Sequence, residues 1–159
     1  MEGTDIIVTS TGIVNGVILD AYGARGDQKS KDVPTLSLPL VMENYPETTA
    51  GFAVVMTDPD SVPVCGYEWV HWLALFTDNP LARNASVENK THMVQGKNSF
   101  GTRGYGGPTP PDKTHEYVIT VYALDKMPKL SGGFSQEKLM QALEGNVLAQ
   151  GELRGTYAP

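Results

Sequence analysis

Two carboxylates stand close together in the segment 57–63, directly after an apolar run that predicts a buried strand. Asp58 and Asp60 are separated by Pro59, and a proline restricts the residue before it to an extended backbone. In an extended chain, residues i and i+2 project to the same side. We therefore expect a carboxylate pair that needs a neutralising group. The alternative is a turn after the strand in which the Asp side chains accept hydrogen bonds from local amides.

A histidine between two tryptophans opens the next predicted strand. Alternation along a strand places Trp69 and His71 on one face and Trp72 on the other. Imidazole titrates near neutral pH and can act as an acid, a base or a hydrogen-bond partner. His71 is therefore a candidate site residue, and the alternative is a histidine whose hydrogen bonds are satisfied inside the core.

A loop rich in glycine and proline, residues 100–111, leads to His115 and Tyr117 at the start of another predicted strand. A dinucleotide-binding loop needs a helix after its glycines, but prolines and a strand follow here. We expect free backbone amides around Gly107 to bind an anion. The alternative is a tight loop without a ligand.

Catalytic and metal sites have weaker support in the sequence. Cys65 precedes His71 by six residues, but no orienting third residue stands at a spacing that a thiol hydrolase would need. The spacing of Asp58, Asp60, His71 and His115 matches no metal-binding motif. We expect no cofactor, no bound metal and no turnover of generic phosphate or acyl esters.

Strands joined by loops must position these residues, because 17 Gly and 11 Pro separate short apolar runs. In the last of the four predicted strands both alternating sets of side chains are apolar, which is typical of a central strand covered on both faces. The four predicted strands are 13–19, 52–57, 70–76 and 117–124.

One segment near the C-terminus has helical periodicity. Ser135 is a suitable N-cap, and Gly151 a suitable stop. A short final strand over 153–157 should follow. The segments 22–31 and 79–95 read as surface loops. The apolar positions that recur at helical spacing are Leu139, Met140, Leu143 and Val147.

The composition indicates one globular domain over 1–159, with 40% hydrophobic and 19% charged residues. The net charge of -6 and the scattered Lys and Arg argue against nucleic-acid binding. Cys65 is the only cysteine, so no internal disulfide can form. Glu2 and Asp5 do not fit the start of a signal peptide, and the longest apolar stretches are too short to span a bilayer. We expect a cytoplasmic protein.

Taken together, these segments resemble the phosphatidylethanolamine-binding protein family, in particular its bacterial and archaeal branch of proteins similar to the Raf kinase inhibitor. The resemblance extends over nearly the whole chain, including the predicted C-terminal helix and strand. It is carried by Asp58-Pro59-Asp60, His71-Trp72, Gly107-Pro108-Thr109-Pro110-Pro111 and His115-Glu116-Tyr117.

The resemblance implies a mainly β fold, a sandwich of two antiparallel sheets with a C-terminal helix, and one pocket for phosphate or a similar anion. Two-fold homodimers are common among the bacterial relatives, so we expect a homodimer. The residues that the resemblance assigns to the pocket are Asp58, Asp60, His71, Gly107, Pro108, His115 and Tyr117.

Three positions depart from the family pattern. Thr109 stands where many bacterial members have Cys, Ser99 where they often have Asp, and Glu116 where Arg is usual. If Glu116 alternates with its neighbours His115 and Tyr117, it points away from the pocket. We then expect ligand binding to be retained, whereas a surface partner could be lost.

The expected function is that of a non-enzymatic binding protein for phosphate, a phosphomonoester or a phospholipid headgroup, which modulates a partner such as a kinase or a protease. The alternative is a small hydrolase or phosphoryl-handling enzyme that uses the Asp and His side chains as acids and bases. Phosphate affinity should rise as the pH falls from about 8 to about 6, because His71 and His115 gain charge near their usual pKa of ~6.5. A protonated phosphate can also donate a hydrogen bond to Asp58 or Asp60.

Overall fold

The computed structural model describes residues 5–159, so Glu2 and the first four residues of the expected domain lie outside the described part. Three short α-helices accompany the strands: α1 (Val62–Cys65), α2 (Ala85–Glu88) and α3 (Gln136–Leu143). No helix in 5–159 is long and apolar enough to span a membrane. The strands are β1 (Ile7–Thr9), β2 (Ile13–Val14), β3 (Val17–Ile18), β4 (Lys29–Ser30), β5 (Val33–Pro34), β6 (Val41–Glu43), β7 (Gly51–Asp58), β8 (Trp69–Phe76), β9 (Val94–Gln95), β10 (His115–Leu124) and β11 (Val147–Tyr157).

A seven-stranded sheet in the order β2-β3-β11-β10-β7-β8-β9 forms the centre of the fold. Its strands pair antiparallel, except that β3 runs parallel to β11. Two small sheets, β1-β6 and β4-β5, complete the strand pairing. The prediction of a mainly β fold is confirmed, and β10 is central, since β11 and β7 flank it.

Both faces of the central sheet are covered by apolar side chains. On one face, alternate residues of β7 and β10 pack against β1, β6 and the extended chain before β6. On the other face, Ala53 and Val55 of β7 pack with Phe134 and with Leu139 and Leu143 of α3. The fold therefore has the layered arrangement that the sequence predicts, with the C-terminal helix on the second face.

The predicted strand 13–19 is instead a hairpin of β2 and β3. Asn15 and Gly16 connect the two strands with φ angles of 52° and 79°. Positive φ at both central positions is what a tight hairpin turn requires, and Asn-Gly is the preferred pair.

The helix predicted to extend toward Gly151 ends at Leu143. The N-cap is confirmed, because the Ser135 hydroxyl accepts a hydrogen bond from the Lys138 amide at 3.1 Å. Past the helix, Gly145 takes a φ of 72° and β11 begins at Val147. The apolar period at Val147 therefore belongs to a strand, because the left-handed turn reverses the chain before it.

The two predicted surface loops contain some regular structure. Segment 22–31 begins with the buried Tyr22 and ends with β4. Segment 79–95 contains α2 and β9, and Ser86 and Gln95 in this segment are buried.

Replacement of Leu139 by Ala should destabilise the fold, because this α3 side chain is fully buried against the second face of the sheet. We expect a loss of about 2–5 kcal/mol in the free energy of unfolding, measured by urea titration. The adjacent Met140→Ala is the control, since Met140 is 38% exposed, and its loss should stay below about 0.5 kcal/mol. Equal losses in the two variants would contradict this packing.

Candidate functional site

Three neighbouring strands bring the candidate residues to one end of the central sheet. Asp58 ends β7, whereas β8 and β10 begin there with Trp69 and His115. Because β7 pairs antiparallel with both neighbours, the end of β7 lies beside the beginnings of the other two. Residues far apart in the sequence therefore meet at this edge.

A β-bulge in β8 changes which side chains share a face. Met56 pairs with Trp72 and Thr57 pairs with Val70, so His71 has no residue opposite it on β7. Trp69 and His71 both line the same cavity, as their alternation predicts. Trp72, however, packs in the same core as Tyr117 rather than on the opposite face. The prediction for Trp72 was wrong because a bulge inserts one residue into the alternation.

These strand ends surround a cavity of about 290 Å³. Of the seven residues predicted for the pocket, Asp58, His71, His115 and Tyr117 line it, whereas Asp60, Gly107 and Pro108 are absent from its lining. The lining residues are Asp58, Ser61, Val64, Cys65, Trp69, His71, Phe100, Thr109, Pro111, His115 and Tyr117.

A buried histidine lies between two carboxylates at this cavity. His115 is 1% exposed, and its Nδ1 lies 2.6 Å from Asp58 Oδ2. Its Nε2 lies 2.7 Å from Asp112 Oδ1. Both contacts have the length of charge-assisted hydrogen bonds, and an imidazolium can donate both at once. Asp112 is not among the residues predicted from the sequence, although its position three residues before His115 was a usable signal.

Asp58 and Asp60 do not form the side-by-side pair that an extended chain would give. Pro59 begins a 3-10 turn, and Asp58 Oδ1 accepts a hydrogen bond from the Asp60 amide at 2.9 Å. Asp60 Oδ2 accepts from the Glu116 amide at 2.8 Å. The alternative, a turn with Asp side chains on local amides, is thus correct for one oxygen of Asp58. The other oxygen is the partner of His115.

The glycine-rich loop does not offer the free amides expected of it. The Gly107 amide donates to Pro34 O at 2.9 Å, and the Gly106 amide donates to His71 O at 2.8 Å. A Cβ at Gly107 would stand 2.2 Å from Tyr22 O, so this loop packs tightly against another backbone segment. The amide cradle predicted around Gly107 is therefore absent, and the tight-loop alternative describes this segment.

His71 is a neutral residue at the cavity wall. Its Nδ1 donates to Gly106 O at 2.5 Å, which leaves Nε2 as a hydrogen-bond acceptor. Burial lowers the pKa of His71 to about 4, despite hydrogen bonds to the backbone of Gly106 and Gly107. His71 therefore does not gain charge between pH 8 and pH 6, contrary to the sequence-based prediction.

The pKa of His115 is shifted the other way. Burial alone would lower it, but the hydrogen bonds to Asp58 and Asp112 outweigh that effect and hold the pKa of His115 above its usual value. Burial raises the pKa of Asp58, although the hydrogen bond with His115 opposes this shift. Hydrogen bonding to His115 lowers the pKa of Asp112. Of the two cavity histidines, His115 is thus the one positioned to carry charge at neutral pH.

Two hydrogen-bond donors at the cavity have no partner within the described residues: the buried Tyr117 hydroxyl and the Trp69 Nε1–H. Burial, and next the charges of Asp58 and Asp60, raise the pKa of Tyr117, so its hydroxyl keeps its proton. Buried polar groups in folded proteins nearly always have a partner. Both donors belong to residues that line the cavity, so a ligand with acceptor atoms is a candidate partner for them.

Aromatic rings form the apolar walls of the cavity. Phe100 meets the Trp69 ring edge to face at 5.3 Å and the His71 ring at 5.8 Å. The His71 ring also meets the Tyr117 ring edge to face at 5.1 Å. The polar atoms are thus held in a rigid, largely apolar surrounding, where hydrogen bonds are stronger than in water.

The three positions that depart from the family pattern have separate surroundings. Ser99 Oγ accepts from the Val70 amide at 2.8 Å, which ties the loop to β8. Thr109 lines the cavity. Glu116 accepts from Arg154 Nη1 at 3.0 Å, and the side chain does not line the cavity, so it points away as predicted.

In residues 5–159 no group of three or more His, Cys, Asp or Glu could hold a metal ion, and the expectation of no bound metal stays a prediction.

Titration of the histidine ring signals by NMR should separate the two cavity histidines. We expect His115 to titrate above pH 6.5, and His71 at a pH of about 4. Asp58→Asn removes one charged partner and should lower the pKa of His115, by on the order of one unit. An unchanged His115 titration in this variant would show that the Asp58 contact does not hold the charge.

Relatives of this chain occur in bacteria and archaea. An uncharacterized protein of Bacillus subtilis, YxkA, is 36% identical over 152 residues, which cover 86% of this chain and 90% of the relative. A UPF0098 protein of Chlamydia muridarum is 37% identical over 125 residues, covering 77% of this chain and 82% of the relative. An archaeal UPF0098 protein, from Methanothermobacter thermautotrophicus, is 34% identical over 146 residues, with coverage of 86% and 94%.

Solved structures agree with these relatives. A crystal structure of a phosphatidylethanolamine-binding protein homologue from Chlamydia trachomatis matches with a TM-score of 0.80 and 31% identity, over 96% of this chain and 97% of the other. Escherichia coli YbcL, described as a member of the mammalian family, matches with a TM-score of 0.81 and 28% identity, over 97% and 98% of the two chains. The profile of the phosphatidylethanolamine-binding proteins matches residues 9–158. The chain belongs to the phosphatidylethanolamine-binding protein family.

Proposed function

We propose that this chain is a non-enzymatic binding protein whose cavity takes a phosphoryl group: phosphate, a phosphomonoester or a phospholipid headgroup. The observation that carries the proposal is that two residues lining one cavity, Tyr117 and Trp69, each carry a hydrogen-bond donor without a partner among the described residues. Phosphoryl oxygens are strong acceptors and would satisfy both. The imidazolium of His115 adds positive charge at the same place.

The acidic surroundings decide which form of the ligand binds. Asp58 lines the cavity, and Asp60 and Asp112 lie close to its rim. A fully deprotonated phosphate would be repelled by these carboxylates. A protonated phosphate carries less charge, and its hydroxyl can donate a hydrogen bond to the Nε2 of neutral His71 or to Asp58. We therefore propose that a phosphomonoester enters as its monoanion.

An enzymatic function has less support from the cavity. A hydrolase needs a nucleophile in contact with its base. Ser61 Oγ lies 2.7 Å from both Asp58 O and Tyr67 O and accepts from the Trp69 amide. Cys65 Sγ contacts Tyr67 O at 3.3 Å. Within the described residues, neither side chain has a hydrogen bond to a histidine, and this favours binding over catalysis.

Modulation of a partner protein is the second part of the proposal. Exposed apolar side chains lie on and just after α1, among them Val64 and Tyr67. Val64 also lines the cavity, so a bound ligand would contact a residue of this surface. Occupancy of the cavity can therefore alter the surface that a kinase or a protease would meet.

Tyr117→Phe should weaken phosphate binding without harming the fold. The hydroxyl has no partner in the described structure, so its loss costs no internal hydrogen bond. We expect phosphate affinity, measured by calorimetry at pH 6, to fall on the order of 10-fold, because a hydrogen bond to a charged acceptor is lost. Tyr122→Phe is the matched control, since Tyr122 lies on the same strand and packs on the opposite face. Equal affinity in Tyr117→Phe and the wild type would contradict the proposed site.

The affinity for phosphate should fall as the pH rises from 6 to 8. A ligand held by the His115 imidazolium binds best below the raised pKa of that group, and binding weakens as the pH passes through this pKa. We expect a decrease of roughly 3- to 30-fold over these two pH units. Calorimetry in buffers of different ionisation enthalpy should show proton uptake on binding. Affinity that is flat or higher at pH 8 would refute this part of the proposal.

A further inference from the structure

Both ring nitrogens of His115 are occupied by carboxylates of the chain itself. Asp58 takes Nδ1 from inside the sheet, at 2.6 Å. Asp112 takes Nε2 from the loop that precedes β10, at 2.7 Å. An anion that enters the cavity and seeks the charged imidazole therefore finds no free N–H on it.

The two carboxylates differ in how firmly they are held. Asp58 is buried, and its second oxygen accepts a hydrogen bond from the Asp60 amide. Asp112 is 45% exposed, and its neighbours from Pro111 to Thr114 are exposed as well. Turning Asp112 into water needs no repacking of the core, whereas removal of Asp58 would leave the buried Nδ1–H of His115 without an acceptor. Asp112 is the carboxylate that can leave.

We propose that Asp112 is an internal competitor for the ligand: its carboxylate occupies the place at His115 Nε2 that a phosphoryl oxygen takes, and ligand binding displaces it. This inference rests on the proposed phosphoryl-binding function. It assigns Asp112 a role that sets the affinity of the site rather than a role in holding the ligand.

The source of positive charge in the cavity explains why competition by Asp112 should lower the affinity for a ligand. Among the described residues that line the cavity there is no Lys or Arg, so His115 is the group that supplies positive charge there. Besides Asp112, the titratable groups next to His115 are Asp58 at the end of β7, His71 on β8 and Tyr117 on β10; Asp60 lies in the 3-10 turn beside Asp58. A carboxylate tethered next to the imidazolium has a high effective concentration there. Every anion that needs Nε2 should therefore lose affinity by the same factor.

The test is Asp112→Ala, compared with Asp125→Ala. Asp125 is an exposed residue outside the cavity, so its replacement matches the change in net charge. Two probes represent the two sources of the phosphoryl group: inorganic phosphate, and glycerophosphoethanolamine as a soluble phospholipid headgroup. At pH 6, we expect Asp112→Ala to bind both probes more tightly than the wild type, each by the same factor of roughly 3- to 10-fold. The probe that the wild type binds more tightly identifies the preferred source.

NMR titration of His115 gives a second readout that needs no ligand. Loss of the Asp112 charge should lower the pKa of His115, which verifies the contact in solution. Unchanged or weaker binding of the probes in Asp112→Ala, while the wild type binds, would overturn the competition alone. If wild type and variant both fail to bind either probe at tens of millimolar, the proposed function is wrong and the competition falls with it. If Asp125→Ala also binds the probes more tightly than the wild type, the change in net charge explains the gain in affinity. That result would also overturn the inference.

Discussion

Antiparallel pairing of β7 with β8 on one side and with β10 on the other is the constraint on which the site depends. Each ladder fixes the register of its two strands, so the end of one strand lies beside the start of the next. Asp58 and His115 are separated by 56 intervening positions in the sequence, yet their side chains are in hydrogen-bond contact. The apolar cores on the two faces of the sheet hold this register, because a slip of one residue would move every side chain of the strand from one core to the other.

The same pairing places charge in a poorly hydrated position. A buried ion pair recovers its desolvation cost only when both partners are well hydrogen-bonded. Asp58 meets this condition through His115 and the Asp60 amide, and Asp60 is in turn fixed by the Glu116 amide. The 3-10 turn after β7 is thus part of the electrostatics of the cavity. In contrast, the unpartnered Tyr117 hydroxyl carries a cost that the folded chain does not offset by itself.

Much of the fold could be predicted from local patterns, since the strands around Val54, Ala74 and Val121 have clear apolar runs and Ser135 is a recognisable helix cap. Features that depend on a single residue within a regular pattern were harder to predict from the sequence. The bulge at His71 leaves no trace in an apolar run, and it reversed the face assigned to Trp72. The hairpin at Asn15 could have been predicted, because Asn-Gly is the preferred pair for a tight hairpin turn.

For the site, residue types identified four of the cavity side chains, but not how they are paired. Nothing in the spacing shows that Asp58 contacts His115 rather than His71, because both histidines lie on strands beside β7 and the contact depends on how the side chains are turned. The hydrogen-bond partner of a backbone amide also cannot be predicted from the type of its own residue. Gly107 looked available because its acceptor, Pro34 O, lies more than 70 positions away in the sequence.

The internal use of the loop amides has a consequence for the evolution of this cavity. A cradle made of backbone N–H groups is common to every sequence that adopts the loop, and a point mutation cannot remove it. Here the polar surface of the cavity belongs to side chains such as His71, Asp58 and Tyr117. The Tyr117 hydroxyl, for example, can be exchanged while the loop amides keep their hydrogen bonds to Pro34 and to the backbone of β8. Single substitutions at the strand ends can thus change which ligand charge and shape the cavity accepts. The loop framework is retained through such changes.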